Sequence, residues 1–280
     1  MTAEALDLAL EIRLHYPLIW GIASALAILV LLFAAVFCLE LLGGRNMRRY
    51  MTRNFVTDVL YGIFYQGGLY NRFLYVPVFA AFAQIIPPSW RLDLIGNLPP
   101  ALGFFTFWLI LDPIAYWVHR LQHRSAFLWS FHSVHHSQTC VTFATTYRNH
   151  MGDALISSFI MYVPLMLLGT PNYFWAPVIA LQMLFEAVKH SDLDWRYGRL
   201  YPIIVSPVYH GIHHSADSAQ YNSNYGSILG IWDYVFGTMS KGPRPVAYGA
   251  PGIEGRDSFL VSLLAPFRQL KRRWFVRATT

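Results

Sequence analysis

Long apolar runs separated by short polar breaks dominate the chain, and their lengths set the first expectations. Residues 17–42 are apolar almost throughout, which exceeds the roughly 20 residues a helix needs to cross a bilayer. Arg45, Arg48, Arg49 and Arg53 follow at once, and a basic flank marks the cytoplasmic end of a span. The N-terminus is then expected outside. Between residues 55 and 86 the apolar pattern is broken by Gln66, Gly67, Gly68, Asn71 and Arg72, which predicts an interfacial piece followed by a second span over 73–86. Pro99-Pro100 opens a third span over 101–118 that runs back toward the cytoplasm and delivers His119 there. A fourth span near 154–168 and a fifth over 173–188 flank Gly169, Thr170 and Pro171, a turn signal. That hairpin returns the chain to the cytoplasm at His190. The run 259–267 is too short to span and is flanked by basic residues, so an interfacial amphipathic tail is expected.

The fold class expected is all-α: an integral membrane helical bundle of about four to five spans with a cytoplasmic histidine-rich metal-binding cap. Residues 1–280 form a single domain, with an anchor span in 1–50, a motif-bearing core at about 105–240 and a basic tail over 255–280. No repeat or low-complexity tract argues for further division.

Composition agrees with lipid as the solvent, since 55% of the residues are hydrophobic and 13% charged, against about 25% charged in soluble chains. The net charge of +6 would suit nucleic acid, but the cations lie beside apolar segments: the four arginines above, and Arg268, Lys271, Arg272, Arg273 and Arg277 in the tail. Membrane orientation accounts for both groups, and no nucleic-acid partner is expected. Cys38 and Cys140 are too few for a disulfide framework or an iron–sulfur cluster. Glu4, Asp7 and Glu11 outweigh Arg13 ahead of a long apolar run, which predicts a retained anchor rather than a cleaved leader.

The candidate chemistry is in the histidines. Eight of eleven fall in three groups: His119 and His123; His132, His135 and His136; His210, His213 and His214. Residues at i and i+4, or i, i+3 and i+4, share a helix face, so each group can aim its rings at one point. All three groups and His190 fall on one side of the membrane in the five-span arrangement. Ligand type leaves zinc, copper, iron and nickel open, whereas eight or more imidazoles exceed the four ligands of one tetrahedral zinc and imply two ions. Zinc-protease chemistry is disfavoured because no glutamate follows His119. A divalent-ion transporter would spread its histidines through the spans, and a b-type haem carrier would face them across the membrane interior; the clustering fits neither.

With Asp112-x-x-x-Tyr116-x-x-His119-Arg120-x-x-His123, Trp129-x-x-His132-x-x-His135-His136-Ser137, Lys189-His190-Ser191-Asp192, His210-x-x-His213-His214 and Asn224-Tyr225-Gly226 leading to Trp232-Asp233-x-x-Phe236-Gly237-Thr238, the segment from Asp112 to Thr238 resembles the fatty acid hydroxylase and sterol desaturase superfamily of membrane di-iron enzymes. The resemblance implies two iron ions (Fe2+/Fe3+) and dioxygen-dependent hydroxylation or desaturation of a lipid such as a fatty acyl, sterol or ether lipid. It also implies electrons from an external reductase, ferredoxin or cytochrome, and metal ligation by the eight boxed histidines. His190 matches a further ligand position of some members. Those members carry another histidine four residues earlier, where this chain has Glu186, so either Glu186 or water completes the set. His150 is a further candidate ligand, favoured as a support paired with Asp153. Asp112 is expected to contact a ligand, while Asn224 and Asp233 are divided between loop structure and ligand orientation, with loop structure favoured.

Overall fold

The computed structural model describes residues 17–169, 175–250 and 258–278. The acidic N-terminal residues on which the retained-anchor expectation rests, and the turn at 170–174, lie outside the described residues. Every regular element described is helical; the β pairings among them are two isolated bridges, Ile204 with Leu229 and Ser215 with Tyr248.

Helix α1, Pro17–Leu42, coincides with the first expected span. Only 6% of its apolar window is buried, and Val30, Leu31, Leu41 and Leu42 are each more than half exposed. A helix that is apolar all round needs an apolar surround, and protein does not supply it here. Helix α2, Arg53–Gln66, starts where Thr52 Oγ1 accepts the Phe55 N–H at 3.2 Å. The expected second span is a ten-residue helix, α3 (Val76–Ile85), preceded by a π-helical turn at Asn71–Tyr75. Helix α4, Pro100–Arg124, is continuous through Pro113 and extends past the expected end of the third span, so that His119 and His123 both ride on it. Gly103, Phe107 and Leu111 are buried on one face, while Leu102, Phe105 and Leu109 are exposed on the other, the three-to-four-residue spacing of a helix packed on one side.

A sharp corner at Ser125, whose Oγ accepts the Leu128 N–H at 3.4 Å, folds α5 (Ala126–His132) back against α4. Helices α6 (Met151–Leu167) and α7 (Trp175–Lys189) follow. The cap adds two short helices, α8 (Pro207–His213) and α9 (Ile231–Val235), before a C-terminal α10 (Phe259–Ala278). Two helices, over Gly21–Leu42 and Pro100–Arg124, are long and apolar enough to cross a membrane. At 17 residues, α6 is shorter than a perpendicular crossing needs.

The tail falls within its expected range of 255–280. It forms a 20-residue helix docked on the cap. Tyr61 OH and Ser262 Oγ lie 2.7 Å apart, and Gln269 Nε2 donates to Ser133 Oγ at 3.2 Å. Polar side chains on one face of α10 made this possible, and Leu260, Leu264 and Phe267 stay on the exposed face.

Two ionic clamps hold the cap to the long helices. At the end of α1, Glu40 Oε1 accepts the Asp192 N–H at 2.6 Å, Arg45 Nε meets Asp192 at 3.3 Å, and Arg49 pairs with both acids. Arg45 and Arg49, expected to flank a span, therefore bind protein. The second clamp is wholly buried: Arg148 pairs through Nε with Asp58 of α2, and donates to Ser137 Oγ at 3.2 Å and Asn54 O at 2.7 Å. Removing one partner of a buried pair leaves an uncompensated charge, at a cost of about 3–5 kcal/mol. Asp58→Ala is accordingly expected to lower the unfolding midpoint of the purified chain by that equivalent, whereas Asp58→Ala combined with Arg148→Met recovers much of the loss. An unchanged midpoint in the single variant would show the pair to be idle.

Candidate metal centre

Nine histidines converge, in two groups. His119, His123, His132, His136 and His213 have ligand atoms within 4.8 Å of one another, and so do His135, His190, His210 and His214. The groups abut, with the His136 and His214 rings stacked at 4.4 Å. The grouping corrects the idea that each sequence box aims at one point. His132 and His136 share a group while His135 joins the other, and His210 and His214 share a group while His213 crosses over. Along α8 into its C-cap successive residues turn by about 100°, so His210 and His214 differ by about 40° but His213 and His214 by the full 100°, while the 132–136 box reaches the same division across the end of α5 and a 3-10 turn at His135–Ser137. The i/i+4 pair takes one position and the middle histidine the neighbouring one.

The polypeptide holds these rings by their outer nitrogens. Nδ1–H of His119 donates to Tyr225 O at 2.9 Å, of His190 to Glu186 O at 2.9 Å, of His213 to Ser223 O at 2.8 Å and of His135 to Arg148 O at 3.3 Å. His132 donates instead to the Asp153 carboxylate at 3.0 Å, which also accepts from Gln122 Nε2 at 2.7 Å. Each such bond fixes the tautomer that leaves Nε2 with a free lone pair.

Those lone pairs face one another. Nε2 of His210 is 2.9 Å from that of His190 and 3.1 Å from that of His214; His190 and His135 stand at 3.3 Å, His213 and His136 at 3.1 Å. Nε2 of His123 and of His132 is buried with no partner at all. Two nitrogens bound at right angles to one ion at about 2.1 Å are about 3.0 Å apart, so the spacing fits a shared cation at each position. Burial and neighbouring imidazoles hold His135, His136, His210 and His214 well below the ordinary histidine pKa. Burial takes His190 down to about 4 although Glu186 pulls upward, and His213 to about 3 despite its bond to Ser223. Neutral rings at neutral pH are what metal binding requires.

The remaining candidates fall outside both groups. His150 caps α6: Nδ1 accepts the Gly152 N–H at 3.0 Å and Nε2–H donates to Leu263 O at 3.0 Å. Neither nitrogen is left for a metal, and Asp153, expected beside His150, serves His132 instead. Glu186 bonds Lys189 at 2.5 Å and Thr146 at 3.2 Å, with its other contact on the outer nitrogen of His190 at 3.6 Å. Asp112 touches no histidine. It accepts from the N–H groups of Ile228 and Leu229 at 3.1 and 3.4 Å and from Trp232 Nε1 at 2.7 Å, tying α4 to the cap.

Asn224 and Asp233 shape the loop that supplies two of the ring acceptors. Asp233 accepts from Tyr209 OH, Thr238 Oγ1 and the N–H groups of Tyr225 and Gly226 at 2.6–2.9 Å. Asn224 takes a left-handed φ of +57° and bridges Tyr209 O and Ser240. A Cβ on Gly226 would lie 2.6 Å from Leu229 O, so only glycine fits. Gln122 and Asp58 went unmarked in the sequence. Their signals were an amide between two ligand-spaced histidines and a lone acid in an apolar run.

A cleft of about 360 Å³ reaches the five-histidine group, lined by His123, His136 and His213 together with Trp129, Tyr221 and Asn222.

Residues 104–238 match the fatty acid hydroxylase family. The chain is 36% identical over 208 residues to an ornithine lipid hydroxylase of Rhizobium tropici, covering 68% of this chain and 62% of that protein. It is 36% identical over 148 residues to an alkylglycerol monooxygenase of Danio rerio, 52% of this chain and 33% of the relative. With a methylsterol monooxygenase of Arabidopsis thaliana it shares 33% over 143 residues, 49% of this chain and 47% of the relative. The matches thus span less than two thirds of each relative's length, and no solved structure matches. The segment that matches the fatty acid hydroxylase family, residues 104–238, holds every histidine of both groups.

Proposed function

We propose that the chain is a membrane-bound oxidoreductase that uses two iron ions and dioxygen to oxidise a C–H bond of a lipid, with electrons from a separate donor protein. One observation carries the reading: nine imidazoles whose ligand nitrogens converge, divided five and four between adjoining positions. The relatives named as lipid, alkylglycerol and sterol oxygenases support the substrate class.

His119, His123, His132, His136 and His213 would hold one ion, and His135, His190, His210 and His214 the other. Iron so held supplies the redox chemistry by which dioxygen attacks an unactivated carbon. The protein's part is positional. Asp153 makes His132 a stronger donor by taking its Nδ1 proton in a charge-assisted bond, and the carbonyls of Arg148, Glu186, Ser223 and Tyr225 lock their rings. The cleft past Trp129 and Tyr221 is the route by which a substrate carbon reaches the five-histidine position. Glu186, hydrogen-bonded to Lys189 and Thr146, steadies the α7 end that presents His190.

The exposed apolar length of α1 and α4 supports a membrane setting. The arginines after α1 support an N-terminus outside and a cap and C-terminus in the cytoplasm. In this arrangement α3, α6 and α7 sit as shorter or tilted hydrophobic segments around the two long helices.

Purified protein is expected to hold about two irons per chain, measured by elemental analysis. His135→Ala should reduce this to about one and abolish lipid oxidation; full activity in that variant, or a single structural zinc, would sink the proposal. Asp153→Ala should weaken metal retention by about 10- to 100-fold in a chelator competition, and Asp153→Asn by less. For metal-free protein the sign of the pH dependence follows from the depressed histidines. Folded, they bind fewer protons than the unfolded chain, so stability is complete above about pH 6.5 and is lost as pH falls through about 4 for His190 and about 3 for His213. Unfolding midpoints of chelator-treated protein across that range check it, and a rise in stability on acidification would contradict it.

A further inference from the structure

Arg196, Gly198, Arg199, Tyr201, Pro202 and Lys241 line an open pocket of about 470 Å³ on the cap, away from the histidines. Three of the six are cations. Arg196 is steadied by both terminal nitrogens donating to Gly242 O at 3.4 and 3.3 Å. The nearby acids are engaged elsewhere, Asp192 with Arg45, Arg49 and Arg244, and Asp194 with Arg244 at 3.6 Å. Among the described residues, Arg199 and Lys241 have no ion-pair partner.

The chain next to this pocket is held against the apolar part of α4. Val205 N–H donates to Ile228 O and Gly230 N–H to Ile203 O, both at 2.9 Å, and the 228–232 strip is bound by Asp112. Asp112 precedes His119 by seven residues, about 10 Å back along the helix toward its apolar end. Phe236 continues the same strip, its ring 5.4 Å from that of Tyr116 and 4.9 Å from that of Trp117. Beside the cations, Leu200, Ile203, Tyr234 and Val235 are 49%, 44%, 67% and 60% exposed. A row of outward apolar side chains bordered by cations without ion-pair partners has the two-part chemistry of a membrane interface.

We propose that this pocket binds the phosphate of an anionic phospholipid headgroup, with the adjoining apolar strip seated among the acyl chains of the same leaflet. Arg199 and Lys241 supply the unpaired charge and Arg196 a preoriented guanidinium. A free phosphate ion shares the anion chemistry but makes no use of the apolar border, which is why the bilayer lipid is the occupant. The proposal rests on the membrane setting and is independent of the metals, so it stands or falls separately from the oxidation chemistry.

The test uses the full chain in neutral detergent and compares binding of dioleoylphosphatidylglycerol and dioleoylphosphatidylcholine in mixed micelles, with metal content and unfolding midpoint as checks of integrity. The wild type should prefer phosphatidylglycerol. Arg199→Gln with Lys241→Gln, which leaves the Arg196 contacts in place, should lose about fivefold of that preference per charge removed, whereas Arg268→Gln on the tail should change it little. Inorganic phosphate should not displace the lipid. Undiminished preference in the double variant, an equal loss in Arg268→Gln, or displacement by inorganic phosphate would each overturn the assignment.

Discussion

Crowding of imidazole lone pairs is the constraint on which the rest of this structure depends. Nε2 atoms at 2.9–3.3 Å, in rings that burial keeps neutral, repel unless a cation lies between them. Such repulsion is resisted by holding rings from outside, as His119, His132, His135, His190 and His213 are held here. That explains why so many backbone carbonyls near the centre accept from Nδ1, and why a carboxylate, Asp153, is buried with a glutamine to share it. Metal affinity and fold are therefore coupled: the same bonds that orient the ligands close the cap.

The cap can be this polar only because it is anchored by charge at two separate places. Asp58 and Arg148 connect α2 to the segment carrying the His135 acceptor, and Asp192 connects the residues after His190 to the end of α1. The first clamp contains the residue whose carbonyl orients His135, and the second lies two residues from His190. Apolar packing alone would leave the rings free to slide, since it is non-directional, whereas a buried guanidinium with three fixed acceptors sets position and angle together.

Several elements were legible from pattern alone. The 17–42 run is helical over its whole length because nothing within it breaks a helix, and the resemblance carried by the histidine spacings agrees with the family match at 104–238. The breaks at Asn71 and Arg72 marked a real discontinuity, but not that it would be a π-helical turn leaving only ten residues of α3. His150 illustrates the limit well. By composition it equals the other histidines, and only the placement of α10, more than a hundred residues later, uses up its second nitrogen.

The sequence by itself determined which segments are helical and apolar, which residues have ligand chemistry, and that they recur at helical spacing, because these depend on local periodicity and side-chain type. The division of nine rings into five and four, the assignment of Asp153 to His132, of Asp112 to the cap and of α10 to a lid over α5 were decided only by tertiary structure. Each of these depends on where distant segments meet and which hydrogen-bond partner arrives first at a given ring, and no local pattern encodes that distance or angle.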